Sequence, residues 1–175
     1  MFSHKHISKI TVFIALFIIV SAYFTRQLAR FAKANLGETG FLIIVIFCFA
    51  ILGLISVVLI ILRNPTFLTA FIFIGTLLIG TALSLQLRPS EVKIHAIEYA
   101  VLGWFAAKDF LRANRKIKGA VLALFFCFIV GVLDEVFQLF LPWRVYDTMD
   151  ILLNSGGALW GIILCLIYQN KNEKK

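Results

Sequence analysis

The chain has 175 residues, of which 61% are hydrophobic and 15% are charged, and its formal net charge is +8. Soluble domains are about 45 to 50% apolar, so this composition excludes a soluble globular protein and indicates an integral membrane protein. Continuous apolar runs, rather than alternating ones, exclude a transmembrane β-barrel. The connections are short, so we expect one all-α, polytopic transmembrane helical bundle.

About six segments are long enough to span a membrane, which takes about 17 to 25 apolar residues. They cover residues 7–24, 41–62, 67–87, 94–111, 119–141 and 149–168. A basic amphipathic stretch over 25–36 is expected to lie in the membrane interface. The fourth segment carries His95 and Glu98 near its start, so a tilted or re-entrant helix is an alternative there. The first segment follows a basic start, as in a signal peptide, but no small-x-small cleavage site follows it, so we predict a retained helix.

The organisation expected from these segments is a single membrane domain over 1–175. Leading helices occupy 1–87, the part that carries most polar side chains occupies 88–168, and a basic cytoplasmic tail occupies 169–175. The loops on one side of the membrane collect eleven Lys and Arg residues, against six on the other side. Because cytoplasmic loops retain positive charge, both termini are predicted to be cytoplasmic.

Polar side chains at membrane depth concentrate in two places, both predicted to lie at the outer face. Ionisable groups are costly at this depth and usually mark a function or a tight polar pair. On a helix, His95, Glu98 and Tyr99 share one face. The second set consists of two helix-spaced groups with one cation between them: Asp134, Glu135 and Gln138; Arg144; Asp147, Asp150 and Asn154. We therefore predict that three helix faces converge on one outward pocket.

Candidate roles follow from the side-chain chemistry. Carboxylates and an imidazole in a partly desolvated site supply both an acid and a base near neutral pH, so the catalytic candidates are His95, Glu98, Glu135 and Asp150. The candidates for substrate binding are Tyr99, Asp134, Gln138, Arg144, Asp147 and Asn154, with Arg144 suited to a phosphate or carboxylate.

Structural alternatives exist for several of these residues. Asp147 fits the N-cap of the last helix, and Asp150 fits a favourable interaction with the helix dipole. Arg144 can pair with Asp147 or extend towards the interface. Asn154, Gly157 and Gly161 fit polar contacts and a small-residue packing face.

No cofactor is predicted. Cys48, Cys127 and Cys165 lie within apolar segments and lack the spacing of a zinc site or a disulfide framework. The spacing of potential ligands in the chain does not require a metal. A divalent cation bound by the carboxylates and His95 is an alternative.

The polar pattern resembles the VanZ-like family of bacterial membrane proteins, over roughly residues 88 to 161. The residues that carry the resemblance follow one another in this order: Lys93 and His95; Glu98 and Tyr99; Leu102 and Gly103; Asp134, Glu135 and Gln138; Pro142, Arg144 and Asp147; Asp150, Asn154 and Gly157. The founding member is associated with low-level teicoplanin resistance. The resemblance implies a small multi-spanning protein of the bacterial cytoplasmic membrane, with a role in the cell envelope or in glycopeptide tolerance.

Three functions are compatible with the sequence. The first is an envelope protein whose outward pocket binds or acts on membrane lipid, a lipid-linked wall precursor or another anionic head group. The second is a transporter or binding partner with a carboxylate relay, and the third is a scaffold whose polar groups only pair with one another. No nucleophile elbow, HExxH or P-loop motif is present, so no reaction class is predicted. We expect no nucleic-acid partner.

Overall fold

The computed structural model of the protein describes residues 7–87, 92–141 and 147–169, and over these residues it is entirely helical. Its five helices are α1 (Lys9–Ile61), α2 (Phe67–Gln86), α3 (Val92–Ala113), α4 (Lys116–Leu139) and α5 (Thr148–Gln169). All except α3 are long and apolar enough to cross a membrane. The all-α fold class and the membrane character predicted from composition are confirmed.

The predicted count of about six helices is slightly too high. The segments 7–24 and 41–62 and the basic stretch between them all lie in α1, which consists of two helical halves joined by a kink at Gly37, its only non-helical residue. Gly37 has φ 72° and ψ 172°, a combination that is essentially restricted to glycine. The stretch 25–36 therefore continues the first helical run and does not form a separate interfacial helix.

Helices α3 and α5 form the most extensive helix pair of the bundle, and they run in the same direction. Their backbones are so close that a Cβ atom added to Gly161 would lie 1.9 Å from the carbonyl oxygen of Ala100. A Cβ added to Gly157 would lie 2.9 Å from the carbonyl oxygen of Ala96. The packing role predicted for these two glycines is confirmed, because only a residue without a side chain fits at such a crossing.

Helix α1 doubles back at its kink. Near its start, the Thr11 hydroxyl donates a 2.6 Å hydrogen bond to Asp109, close to the end of α3. After the kink, Phe41 belongs to an apolar cluster against which Ile94, close to the beginning of α3, also packs. Ile60, close to the end of α1, packs against the C-terminal half of α5. The two halves of α1 thus run antiparallel along the bundle, and both of its ends lie at the end of the bundle where α3 and α5 finish.

Helix α3 is the most polar helix and lies against α1, α4 and α5. Its 22 residues form one uninterrupted helix, about 33 Å long at 1.5 Å per residue. The re-entrant alternative is therefore wrong, because it requires the chain to reverse within the segment. Leu102, Ala106 and Ala107 of α3 are fully buried, so protein rather than lipid covers much of this helix.

The close α3–α5 contact predicts unequal effects of two Gly→Ala substitutions on α5. Gly161→Ala should lower the free energy of unfolding by about 1 to 3 kcal/mol through overpacking. Gly156→Ala should be neutral or stabilising by up to about 1 kcal/mol, because its Cβ meets open space and alanine has the higher helix propensity. Unfolding of the full chain in detergent micelles measures both, and equal stability of the two variants would contradict the packing.

Candidate functional site

Seven buried or half-buried polar side chains meet where α3 and α5 begin and α4 ends. We call them the polar cluster, and its members are His95, Glu98 and Tyr99 of α3, Asp134, Glu135 and Gln138 of α4, and Asn154 of α5. The cluster forms because α4 runs antiparallel to its two neighbours, which brings its last turns beside their first turns. Residues about forty positions apart in the chain therefore share one end of the bundle.

The His95 and Glu98 side chains form a pair within α3. The Nδ1 atom of His95 lies 3.1 Å from the Oε2 atom of Glu98, with 8% and 16% of the two side chains exposed. The distance is that of an ion pair, although the angle is not that of a hydrogen bond. The i, i+3 spacing recognised in the sequence accounts for this pair, since it places both side chains on one face.

Tyr99 and Asp134 connect α3 to α4. Both residues are fully buried, and the Tyr99 hydroxyl donates a long hydrogen bond of 3.4 Å to the Oδ2 atom of Asp134. Tyr99 is buried because it follows His95 by one helical turn and so lies on the same buried face of α3. A buried carboxylate is tolerated only when polar partners surround it, so this contact helps to keep Asp134 in the bundle.

Glu135 connects α4 to the beginning of α5. Only 1% of Glu135 is exposed, and its Oε2 atom accepts a 3.3 Å hydrogen bond from the backbone N–H of Asp147. Asp150, Asp134 and His95 lie near enough to the Glu135 carboxyl group to interact with it electrostatically. Glu135 therefore lies close to ionisable groups of α3, α4 and α5.

Asp147 caps the beginning of α5. Its Oδ1 atom accepts a 2.8 Å hydrogen bond from the backbone N–H of Met149, and its side chain is exposed. This geometry is that of a helix cap, as the structural alternative predicted. Asp150 is half-buried in the first turn of α5, where a carboxylate interacts favourably with the helix dipole.

The remaining predicted residues divide into two groups. Gln138 and Asn154 are buried in the polar cluster at 1% and 2% exposure. A Cβ added to Gly131 of α4 would lie 3.8 Å from both the Cβ atom of Asn154 and the Tyr99 ring, so the three helices touch at this level. Arg144, the predicted anion-binding residue, lies outside the described residues.

Lys93 is a buried charge to which sequence reasoning gave no site role. Only 5% of it is exposed, and its Nζ atom donates to the carbonyl oxygen of Leu87, just after α2. The fourth predicted segment, 94–111, begins one residue after Lys93, so the sequence did not predict that Lys93 is buried in a helix. Lys93 instead joins the end of α2 to α3 and fixes α2 beside the start of α3.

The structure has a cavity of about 260 Å³, but it lies deeper in the bundle than the polar cluster and none of the cluster residues lines it. Across residues 7–87, 92–141 and 147–169, no group of three or more His, Cys, Asp or Glu side chains is arranged to hold a metal ion. Cys48, Cys127 and Cys165 are all free thiols.

The described helices that carry the polar cluster match a known protein family. The VanZ/LLP1 family model matches residues 92–169, which include α3, α4 and α5 and every described residue of the polar cluster. We call residues 92–169, which are similar to this family, the VanZ-like region. The resemblance recognised from the spaced polar residues is thereby confirmed, and α1 and α2 precede the VanZ-like region in the chain. No curated protein and no solved structure matches this chain.

The contact between Tyr99 and Asp134 predicts that substitutions of these two residues are coupled. Tyr99→Phe should lower the free energy of unfolding by about 1 to 3 kcal/mol, because a buried carboxylate loses its donor. The loss should shrink by at least about 0.5 kcal/mol when Asp134 is already Asn. A double-mutant cycle in detergent micelles measures the coupling, with Tyr23→Phe at an exposed position of α1 as the control. Strictly additive effects would rule out the contact.

Proposed function

We propose that this VanZ-like membrane protein uses the polar cluster to bind the head group of an envelope lipid or of a lipid-linked wall precursor. A role in the cell envelope, including tolerance of glycopeptides such as teicoplanin, follows from that binding. The observation that carries the proposal is the burial of Asp134 and Glu135, at 0% and 1% exposure, beside the His95–Glu98 pair. Each buried carboxylate is costly in a membrane protein, and such residues are usually retained for function.

The chemistry of the cluster suits a polar head group. Carboxylates accept hydrogen bonds from hydroxyl and ammonium groups, and the cluster has three of them, on Glu98, Asp134 and Glu135. The cluster also has one imidazole, that of His95, whose Nδ1 atom lies 3.1 Å from the Oε2 atom of Glu98. Imidazole is the side chain that most often serves as a general acid or base. Arg144 would hold a phosphate or carboxylate of the same ligand in a bidentate manner.

The orientation of the protein is part of the proposal. We place both termini in the cytoplasm of a bacterial cell, because the loops at the opposite end from the polar cluster carry most of the Lys and Arg residues. The cluster then lies at the outer boundary of the cytoplasmic membrane. Envelope precursors with polar head groups are accessible from that side.

A purely structural role for the polar cluster is the second candidate. It is favoured by the position of the cavity, which is apolar and not lined by the cluster. Under this hypothesis, the His95–Glu98 pair and the Tyr99–Asp134 hydrogen bond only hold the helices together. The two candidates predict different effects when a charged residue of the cluster is replaced by a neutral one. If the cluster is structural, the substitution lowers the stability of the protein. If the cluster binds a ligand, the substitution weakens binding while the protein stays folded.

Glu135→Gln is expected to abolish function while the protein stays folded. Glutamine keeps an oxygen that can accept the hydrogen bond from Asp147, but it removes the charge on which the head-group interaction depends. In a deletion strain, the wild type should restore the lipid and wall-precursor profile and the teicoplanin tolerance of the parent strain, and Glu135→Gln should restore neither. Membrane abundance and thermal unfolding measure folding alongside the phenotype.

The matched control is Glu38→Gln, which makes the same change at a carboxylate that is 65% exposed and paired with Lys33. It should complement as well as the wild type. Full complementation by a stable Glu135→Gln protein would contradict the binding role. Loss of membrane abundance in proportion to loss of phenotype would support the structural candidate instead.

A further inference from the structure

Arg26 is a charged residue on the buried face of the first half of α1. Ala22 and Ala29 of the same helix are 0% and 2% exposed, and Arg26 follows the first by four residues and precedes the second by three. Residues with these spacings share one face of an α-helix. Arg26 is itself half-buried, so protein covers part of its side chain.

Two contacts fix the level of Arg26 relative to α3. The Thr11 hydroxyl donates a hydrogen bond to Asp109, close to the end of α3. Further along α1, Ala29 belongs to an apolar cluster against which Ile94, close to the beginning of α3, packs. The first half of α1 therefore runs antiparallel to α3, and Arg26 lies close to the beginning of α3.

Distances along the two helices place Arg26 at the depth of the polar cluster. Arg26 follows Thr11 by 15 residues, and His95 precedes Asp109 by 14 residues. At 1.5 Å per residue these separations are about 22 Å and about 21 Å. The contact between Thr11 and Asp109 is the common starting point of both, so Arg26 and His95 lie at nearly the same depth.

Glu98 lies on the face of α3 that is directed towards the first half of α1. It precedes Asp109, the partner of Thr11, by 11 residues, which is about three full helical turns. Side chains on a helix lean towards its N-terminus. Because the first half of α1 and α3 are antiparallel, the side chains of Arg26 and Glu98 lean towards each other.

Glu98 and Arg26 offer complementary groups to a ligand. The Oε2 atom of Glu98 is buried and accepts no hydrogen bond from residues 7–87, 92–141 or 147–169, although it lies 3.1 Å from the Nδ1 atom of His95. Buried polar atoms are usually satisfied, and a hydroxyl or ammonium group would satisfy this one. A guanidinium has five N–H donors in a planar fork that matches phosphate, so Arg26 can bind a phosphate and keep a partner in the protein.

We propose that Arg26 binds the phosphate of a phospholipid head group, while Glu98 accepts a hydrogen bond from a hydroxyl or ammonium group of the same head group. The inference deepens the proposed function, on which it rests, because it names the ligand as a phosphodiester with a hydrogen-bond donor beside it. A phosphate next to carboxylates needs a cation to offset their repulsion. Helix α1, which precedes the VanZ-like region, would thus contribute a ligand-binding residue to the polar cluster.

Photo-cross-linking of a labelled lipid tests the proposal. Phosphatidylglycerol with a photoreactive group on its head group is added to the full chain in dodecyl maltoside micelles, and the cross-linked peptides are mapped by mass spectrometry. Peptides from 22–30 and 94–102 report on the site, and the basic segment 112–118 at the other end of the bundle is the internal standard. Arg26→Gln should lower cross-linking at the site, relative to this standard, by about ten-fold, as expected for the loss of a charge-assisted contact.

The matched control is Arg30→Gln, which removes the same charge one turn further along α1 at an exposed position. It should cross-link like the wild type. If Arg26→Gln does not insert, the wild type decides the test, because a photoreactive diacylglycerol lacks the phosphate and should cross-link about ten-fold less at the site. Equal cross-linking of folded Arg26→Gln and Arg30→Gln, or of the two probes, would overturn the phosphate site.

Two further probes distinguish the parts of the ligand. Photoreactive phosphatidylcholine keeps the phosphate but has no donor for Glu98, so it should cross-link less than phosphatidylglycerol, and equal cross-linking would overturn the role of Glu98. Excess inorganic phosphate should leave the phosphatidylglycerol cross-link in place. Loss of the cross-link would assign the site to free phosphate and overturn the lipid head group.

The cross-linking readout is independent of the envelope phenotype. A normal phenotype for Glu135→Gln contradicts the proposed function and leaves the cross-linking result intact. Unchanged cross-linking of Arg26→Gln contradicts the phosphate site and leaves the phenotype result intact.

Discussion

The close approach of α3 and α5 is the constraint on which the rest of the structure depends. Gly157 and Gly161 bring the backbone of α5 against the carbonyl oxygens of Ala96 and Ala100, a contact that neither helix could make with a larger residue at these positions. This contact fixes the register of the two helices. It places Asn154, one turn before Gly157, at the level where α3 carries its charged residues.

The position of the buried charged residues then limits the functions that the bundle can have. Breaking a buried polar pair costs about 3 to 5 kcal/mol, so the groups of the polar cluster support one another. Inward of the cluster, the described core of the VanZ-like region is apolar, with Leu102, Ala106, Cys127 and Ile162 among its buried residues. A carboxylate relay would need polar groups to continue through this layer. The described residues therefore favour a site confined to one end of the protein over a transport path.

The sequence predicted the helices and the convergence of the polar faces well, because both follow from local spacing. Apolar runs of sufficient length become helices, and the i, i+3 spacing of His95 and Glu98 places them together wherever α3 lies. Gly37 was not recognised as the kink between the two halves of α1, because a positive φ depends on how these halves pack. The burial of Lys93 was not predicted either, because it depends on a contact with Leu87 at the end of another helix. The cavity could not be predicted, since it is a gap between four helices and no single segment encodes it.

A disulfide between α4 and α5 would test most directly whether the polar faces meet. In a chain with its three cysteines replaced by alanine, Gly131→Cys and Asn154→Cys place two Cβ atoms about 3.8 Å apart, which is the usual separation in a disulfide. Mild oxidation in the membrane should then form an intramolecular bond in most of the protein, seen as loss of maleimide labelling that a reductant reverses. Full labelling of both thiols after oxidation, in a protein that remains inserted, would mean that α4 and α5 do not meet at the polar cluster.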